Sequence, residues 1–215
     1  MCAMRSSTTV LAMNHSVGLL AGLLVGLPAC GGGDPGASPD ATVLDHYDLG
    51  SCGAVDVLAL AAGTHVDAGS TIAFTHNPPV TGPHYPMWAA YDRSYPSLAR
   101  GYWLHDAEHG AVVFAYRCDP AAAGCADDIA ALEAAVRALP TDPTCTAPVR
   151  QRAIVVADPA LPADVRIAAV AWGFAYTATC VDPDALAMFA ALHYRHATED
   201  TCAAGATLGG TAIAP

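Results

Sequence analysis

The pattern of apolar and polar residues along the chain predicts five strands and two helices. Short runs rich in β-branched and aromatic residues, bounded by Gly, Pro or polar clusters, are typical of strands. Two longer segments repeat their apolar residues at helical spacing. The predicted strands are 55–60, 71–74, 110–117, 152–158 and 165–179, with the alanines of the last leaving a helix possible, and the predicted helices are 127–139 and 182–196.

The helix ends carry their own signals. An apolar stripe from Ile129 to Leu139 ends at Pro140, and Asp182 with Pro183 forms an N-cap and first turn. Strands and helices mix without regular alternation, which predicts an α+β fold. We expect a single domain over 44–203, with one mixed or antiparallel sheet and helices packed on one face. The region 75–104 lacks periodicity, and a loop of that length is usually functional.

The N-terminal region predicts export and lipid anchoring. Arg5 and the apolar run 17–27 resemble a secretory signal, and LPAC at 27–30 resembles a bacterial lipobox. We therefore predict a lipoprotein signal peptide over 1–29, a lipid on Cys30 that anchors the protein in a membrane, and a flexible tether over 30–43. An ordinary secretory signal is the alternative. The tail 204–215 is expected to be disordered, and the outer membrane or cell surface is the expected location.

Charge narrows the possible partners. All nine basic residues are arginine, against 20 acidic residues, so the formal net charge is −11 at pH 7. Such an acidic surface argues against binding nucleic acid or anionic lipid head groups, whereas it suits cations. The protein partner stays open.

Six cysteines remain outside the signal and the anchor, and an even number in an exported chain predicts disulfides. Six cysteines allow fifteen pairings. We expect Cys118 to pair with Cys125 across a short loop, and Cys180 to pair with Cys202 across the last helix, which leaves Cys52 and Cys145. A thiolate metal site is less favoured because zinc ribbons use shorter paired spacings.

The histidines carry the candidate chemistry. His105 and His109 lie four residues apart, so they share a face in a helix and in a strand alike. His84 lies on the unpatterned region, and either His65 or Met87 completes a set of four ligands. Imidazoles with a thioether suit copper, whereas imidazoles with a carboxylate or water suit zinc. The other histidines of the predicted domain are expected to be structural: His46, His76, His193 and His196.

The segment around His105 also fits a peptidase motif, and two alternative functions stay open for the histidines. HDAEH at 105–109 fits the H-x-x-E-H pattern of zinc peptidases, which requires a helix. The β-branched run that follows Gly110 predicts the start of a strand instead, with Glu108 pointing away from both histidines. A metal-dependent oxidase or hydrolase is one alternative function. The other is an envelope module in which the histidines form a buried hydrogen-bond network.

Two blocks resemble a known family. THNPPVTGPHYPMW at 75–88 and HDAEHGAVVFAYRC at 105–118, followed by IAAVAWG at 167–173, resemble the domain-of-unknown-function family 3105. The resemblance covers roughly 63–197, with departures at Val80, Thr81 and Ala107. The matching positions are His65, Asn77, Pro78, Pro79, Gly82, Pro83, His84, Trp88, His105, Glu108, His109, Gly110 and Trp172.

The resemblance strengthens the site and leaves the activity open. We expect copper or zinc to be bound by His84, His105 and His109 together with His65 or Met87. Asn77 is expected to fix the loop that carries His84. Glu108 and Trp88 are expected to contact the ligands rather than the metal, and Glu108 is expected to orient one ligand by a hydrogen bond.

Overall fold

A computed structural model describes residues 41–214 of the chain, and the predicted signal peptide, Cys30 and most of the tether lie outside that range. Within it, eight strands form one sheet in the order β1-β2-β7-β6-β4-β5-β3-β8. The strands are β1 Val43–Leu49, β2 Gly53–Leu58, β3 Arg93–Tyr95, β4 Val112–Tyr116, β5 Ala153–Ala157, β6 Ile167–Ala171, β7 Phe174–Ala178 and β8 Thr211–Ala212, and the helices are α1 Arg100–Glu108, α2 Cys125–Ala138 and α3 Pro183–His193.

The predicted α+β fold with a mixed sheet is confirmed. Strand β5 pairs in parallel with β4 and with β3, and the other strand pairs are antiparallel. Burial on both faces explains why β4, β5 and β6 are continuous apolar runs.

Helices cover both faces of the sheet. α2 and α3 pack on the face that carries Phe114 and Val155, and α1 packs on the opposite face, against Val113 and Ile154. The expected packing of the helices on one face of the sheet therefore holds for α2 and α3, whereas α1 lies on the other face. α1 therefore forms a separate layer on this second face of the sheet, and the candidate site is buried in that layer.

Three local predictions are corrected. Residues 71–74 form no strand, and 165–179 is a hairpin of β6 and β7 that turns at Gly173, where φ is +86°. A positive φ of this kind favours glycine. The segment 204–214 is ordered against the sheet rather than disordered, because β8 pairs with β3 and the Ala206 amide donates to the Trp88 carbonyl.

Three disulfides join the chain, and they indicate an oxidising compartment. The expected Cys118–Cys125 pair is present. The expected Cys180–Cys202 pair is wrong, since Cys180 bonds Cys52 and Cys202 bonds Cys145. Adjacency of β2 and β7 in the sheet brings Cys52 beside Cys180. Among residues 41–214, no helix has the length and hydropathy needed to cross a bilayer.

Candidate functional site

Helix α1 carries the centre of the site. It runs from Arg100 to Glu108, so the predicted strand start at 105–109 is wrong. Nearly its whole surface is buried, including His105, Asp106 and Glu108. His105 and Glu108 lie three residues apart and therefore share one face of the helix.

Four side chains converge beside α1. They are His65, His84, His105 and Glu108, and each offers one ligand atom within 4.8 Å of all the others. His65 is exposed, whereas the other three are buried. A parallel bridge between His65 and His84 brings their two loops together, with the His84 amide donating to the Thr64 carbonyl. Residues from three separate segments thus meet at one point.

The two buried imidazoles are held in the same way. Nδ1 of His84 lies 3.0 Å from the carbonyl oxygen of Gly82, and Nδ1 of His105 lies 2.7 Å from that of Tyr85. A carbonyl only accepts, so each Nδ1 carries the proton that it donates. Each Nε2 is then unprotonated, and that of His84 has no hydrogen-bond partner among the described residues. Fixing the tautomer in this way is what metal-binding histidines commonly show.

Glu108 lies directly against the free nitrogen of His84. Its Oε2 is 2.9 Å from His84 Nε2, yet the two groups are not aligned as a hydrogen bond, and that buried nitrogen has no other partner among the described residues. An ion pair is also disfavoured, because burial lowers the pKa of His84 and raises that of Glu108 to about 7, helped by the charge of Glu199. The sequence assigned Glu108 an orienting role, and the geometry places its carboxylate among the converging atoms.

His109 lies beside this group and outside the converging four. Its Nε2 is 3.1 Å from Nε2 of His105 and 3.3 Å from the carboxylate of Glu199. Burial lowers the pKa of His105 to about 4 and also lowers the pKa of His109, so both rings are neutral at pH 7. The helix that a zinc peptidase motif needs is therefore present, but the convergent set pairs His105 with two loop histidines.

The other predicted residues have structural contacts. Trp88 packs its ring 5.2 Å from that of His105 and 4.5 Å from that of His109. Asn77 accepts a hydrogen bond from Arg100, the first residue of α1, and so fastens the loop before His84 to that helix. Met87 is 44% exposed, and whether it contributes a ligand stays a prediction.

A segment after α3 closes over the end of α1. The amide of Glu199 donates to the Glu108 carbonyl, and that of Arg195 donates to the Gly110 carbonyl. Asp200 pairs with the buried Arg152, which also donates to the His109 carbonyl. This segment brings Glu199 to His109, a contact that sequence reasoning missed because no motif surrounds Glu199.

Gly63 is a second residue that the sequence did not single out. A Cβ at this position would collide with Oε1 of Glu108 and approach the His84 ring to 3.3 Å. The only signal was a glycine two residues before His65. A glycine here leaves the space in which the Glu108 carboxylate lies.

Comparison with known proteins finds one relationship. A family described as "Protein of unknown function (DUF3105)" matches residues 65–206, which include the four converging side chains and the closing segment. Neither a curated protein nor a solved structure matches the chain.

Proposed function

This chain belongs to the DUF3105 family of proteins of unknown function, and we propose that it binds one divalent transition-metal ion through His65, His84, His105 and Glu108. The proposal rests chiefly on one observation. Two buried histidines donate Nδ1–H to backbone carbonyls, and the unprotonated Nε2 of His84 lies 2.9 Å from the buried carboxylate of Glu108. A hydrogen-bond network alone does not account for this arrangement, because it leaves His84 Nε2 without a bond.

The spacing of the donor atoms supports a small ion. A tetrahedral zinc ion with bonds of about 2.0–2.1 Å holds its ligand atoms roughly 3.3 Å from one another. The converging atoms span 2.9 Å for His84 and Glu108 and at most 4.8 Å for the whole set.

The donor set favours zinc over copper. Three imidazoles and a carboxylate suit zinc, whereas a soft thioether that would select copper(I) is absent from the proposed set. Four protein donors also make a filled shell, which is typical of sites that hold an ion rather than use it in catalysis. We therefore propose sequestration or delivery of the metal as the role.

The proposed setting is the outside of the cytoplasmic membrane. Three disulfides support an oxidising compartment. The sequence around 17–30 supports export and a lipid on Cys30, which would hold the domain on a tether at the outer membrane or cell surface. Mass spectrometry of the intact purified protein, showing a chain that begins at a diacylated Cys30, tests this part.

Metal content is the direct test of binding. The protein, expressed with its own N-terminus in a host with an oxidising envelope and purified without a histidine tag, is expected to hold about one zinc ion per chain after loading and dialysis. The His84→Ala variant is expected to hold almost none. His193→Gln is the matched control, because His193 is also buried but lies against Phe174 and Phe189. Equal metal in wild type and His84→Ala contradicts the proposal.

Replacing Gly63 with alanine is expected to weaken zinc binding without removing a ligand. The new methyl group displaces the Glu108 carboxylate from its position, and misplacing this ligand is expected to lower metal affinity by at least the roughly 10- to 100-fold that is typical of losing a supporting partner. Competition with a coloured chelator measures the change. Near-ultraviolet circular dichroism checks that the fold is retained. An unchanged affinity in a folded Gly63→Ala protein places Glu108 outside the site.

A further inference from the structure

A pocket lies apart from the side chains that are proposed to bind the metal. Its volume is about 400 Å³, within the range of small-molecule sites. It is lined by the start of β3, the end of α2, a segment around 148–151 and a segment over 204–213 that contains β8. None of the four converging side chains lines it.

The charge of this pocket is opposite to that of the protein. Arg93, Arg137 and Arg150 line it, against one carboxylate, Asp92. These are three of the nine basic residues in a chain of net charge −11. In a chain with so few basic residues, such a local excess of positive charge is a specific feature that favours an anion.

The three guanidinium groups keep donors available. Arg150 forms no side-chain hydrogen bond or ion pair within residues 41–214, although its backbone amide donates to Asp92. Arg137 has only a 3.7 Å pair with Glu133, and Arg93 gives one nitrogen to the Gly210 carbonyl. Guanidinium groups present several N–H donors in a planar fork that matches a carboxylate.

The rest of the wall is apolar and held in place. It includes Pro148, Val149, Ala212 and Ile213, together with the buried side chain of Gln151. The Ile213 amide donates to the Asp92 carbonyl, and the Cys145–Cys202 disulfide joins the chain a few residues before each of these two segments. A pocket preformed in this way loses little entropy when a ligand binds.

We infer that this pocket binds a small organic anion, with a carboxylate on the arginines and an apolar body against Val149 and Ile213. An inorganic anion would use the charges and leave the apolar wall in contact with water. The inference does not rest on the metal proposal, because the two sets of residues are separate.

The test adds three probes to the full-length protein: benzoate, benzamide and inorganic phosphate. Two-dimensional NMR or calorimetry measures the binding of each. Benzoate is expected to bind with a Kd in the millimolar range or tighter, and benzamide and phosphate at least about tenfold more weakly. Arg150→Gln is expected to weaken benzoate binding by about tenfold or more. Arg117→Gln is the control, because Arg117 is an exposed arginine that bonds carbonyls near Pro159.

Each outcome decides the inference. Benzoate binding that is lost in Arg150→Gln and kept in Arg117→Gln supports it. No benzoate binding at roughly 20 mM, equal binding of benzamide or phosphate, or an equal loss in both variants overturns it. Retained near-ultraviolet circular dichroism shows that a loss in Arg150→Gln does not come from unfolding, and Arg137→Gln provides a second variant if that protein fails to fold.

Discussion

Zinc is expected to raise the Tm of the wild-type protein and to leave the Tm of the His105→Ala variant unchanged. An ion that binds only the folded state adds about 4 kcal/mol when its concentration is a thousandfold above Kd. For a domain of this size, that corresponds to a rise in Tm of roughly 10 °C. His105 is the decisive position because it is 2% exposed and its Nδ1 is held by the Tyr85 carbonyl. Differential scanning calorimetry measures the shift.

Three controls make this result specific. Mg²⁺ is expected to have little effect, because it prefers oxygen ligands in octahedral geometry. A chelator is expected to reverse the zinc effect, and His193→Gln is expected to keep it. An equal zinc shift in His105→Ala contradicts the site. Zinc would then bind elsewhere, for example at the surface pair of His46 and His76 with Asp56.

Removing the carboxylate of Asp142 is expected to destabilise the protein by about 3–5 kcal/mol. Asp142 and Arg152 form an ion pair of 2.7 Å in which both side chains are 0% exposed. Asp142 also accepts hydrogen bonds from Thr144 and from the hydroxyl of Tyr194. The Asp142→Ala variant therefore leaves a buried guanidinium with only part of its partners. Urea unfolding, with the disulfides intact, measures the loss.

Asp128→Ala is the matched control for this prediction. Asp128 pairs with Arg166 at 2.6 Å, but the Arg166 side chain is 44% exposed. Water can solvate that arginine after the carboxylate is removed, so the expected loss is about 1 kcal/mol or less. Similar losses in the two variants contradict the account of Arg152 as a buried charge. Because Arg152 also bonds the His109 carbonyl, Asp142→Ala is expected to weaken zinc binding as well.

The sequence predicted the sheet well where burial follows a simple pattern. The apolar runs that became β4 and β5 are buried on both faces, and their β-branched residues mark them as strands. The Asp182 cap of α3 was also predicted, and its side chain accepts a hydrogen bond from the Ala185 amide. The β6–β7 hairpin was merged into one strand because Ala171, Trp172, Gly173 and Phe174 continue the apolar pattern through the turn.

Helix α1 could not be predicted from periodicity. Periodicity finds a helix by an apolar stripe beside a polar face. In α1 the buried surface includes His105, Asp106 and Glu108 as well as Trp103 and Leu104, so the contrast between faces disappears. The buried polar residues that make α1 a candidate site are therefore also the reason why its sequence lacks a helical pattern.

Contacts between distant segments explain the remaining differences. The pairing of Cys52 with Cys180 depends on the sheet order, which spacing along the chain does not show. The two-residue strand β8 is too short to leave a pattern. The two blocks contain His84 and His105, and His65 lies before them. The place of Glu108 among the converging atoms depends on the loop that brings Gly63 against it.

X-ray absorption at the zinc edge of the loaded protein tests the central claim most directly. The proposed site predicts a first shell of four nitrogen and oxygen atoms at about 2.0–2.1 Å, with the outer-shell scattering of three imidazoles and no sulfur. In Glu108→Gln the imidazole signal is expected to remain while the carboxylate contribution is lost. A shell of water oxygens, or one that contains sulfur, would contradict binding by His65, His84, His105 and Glu108.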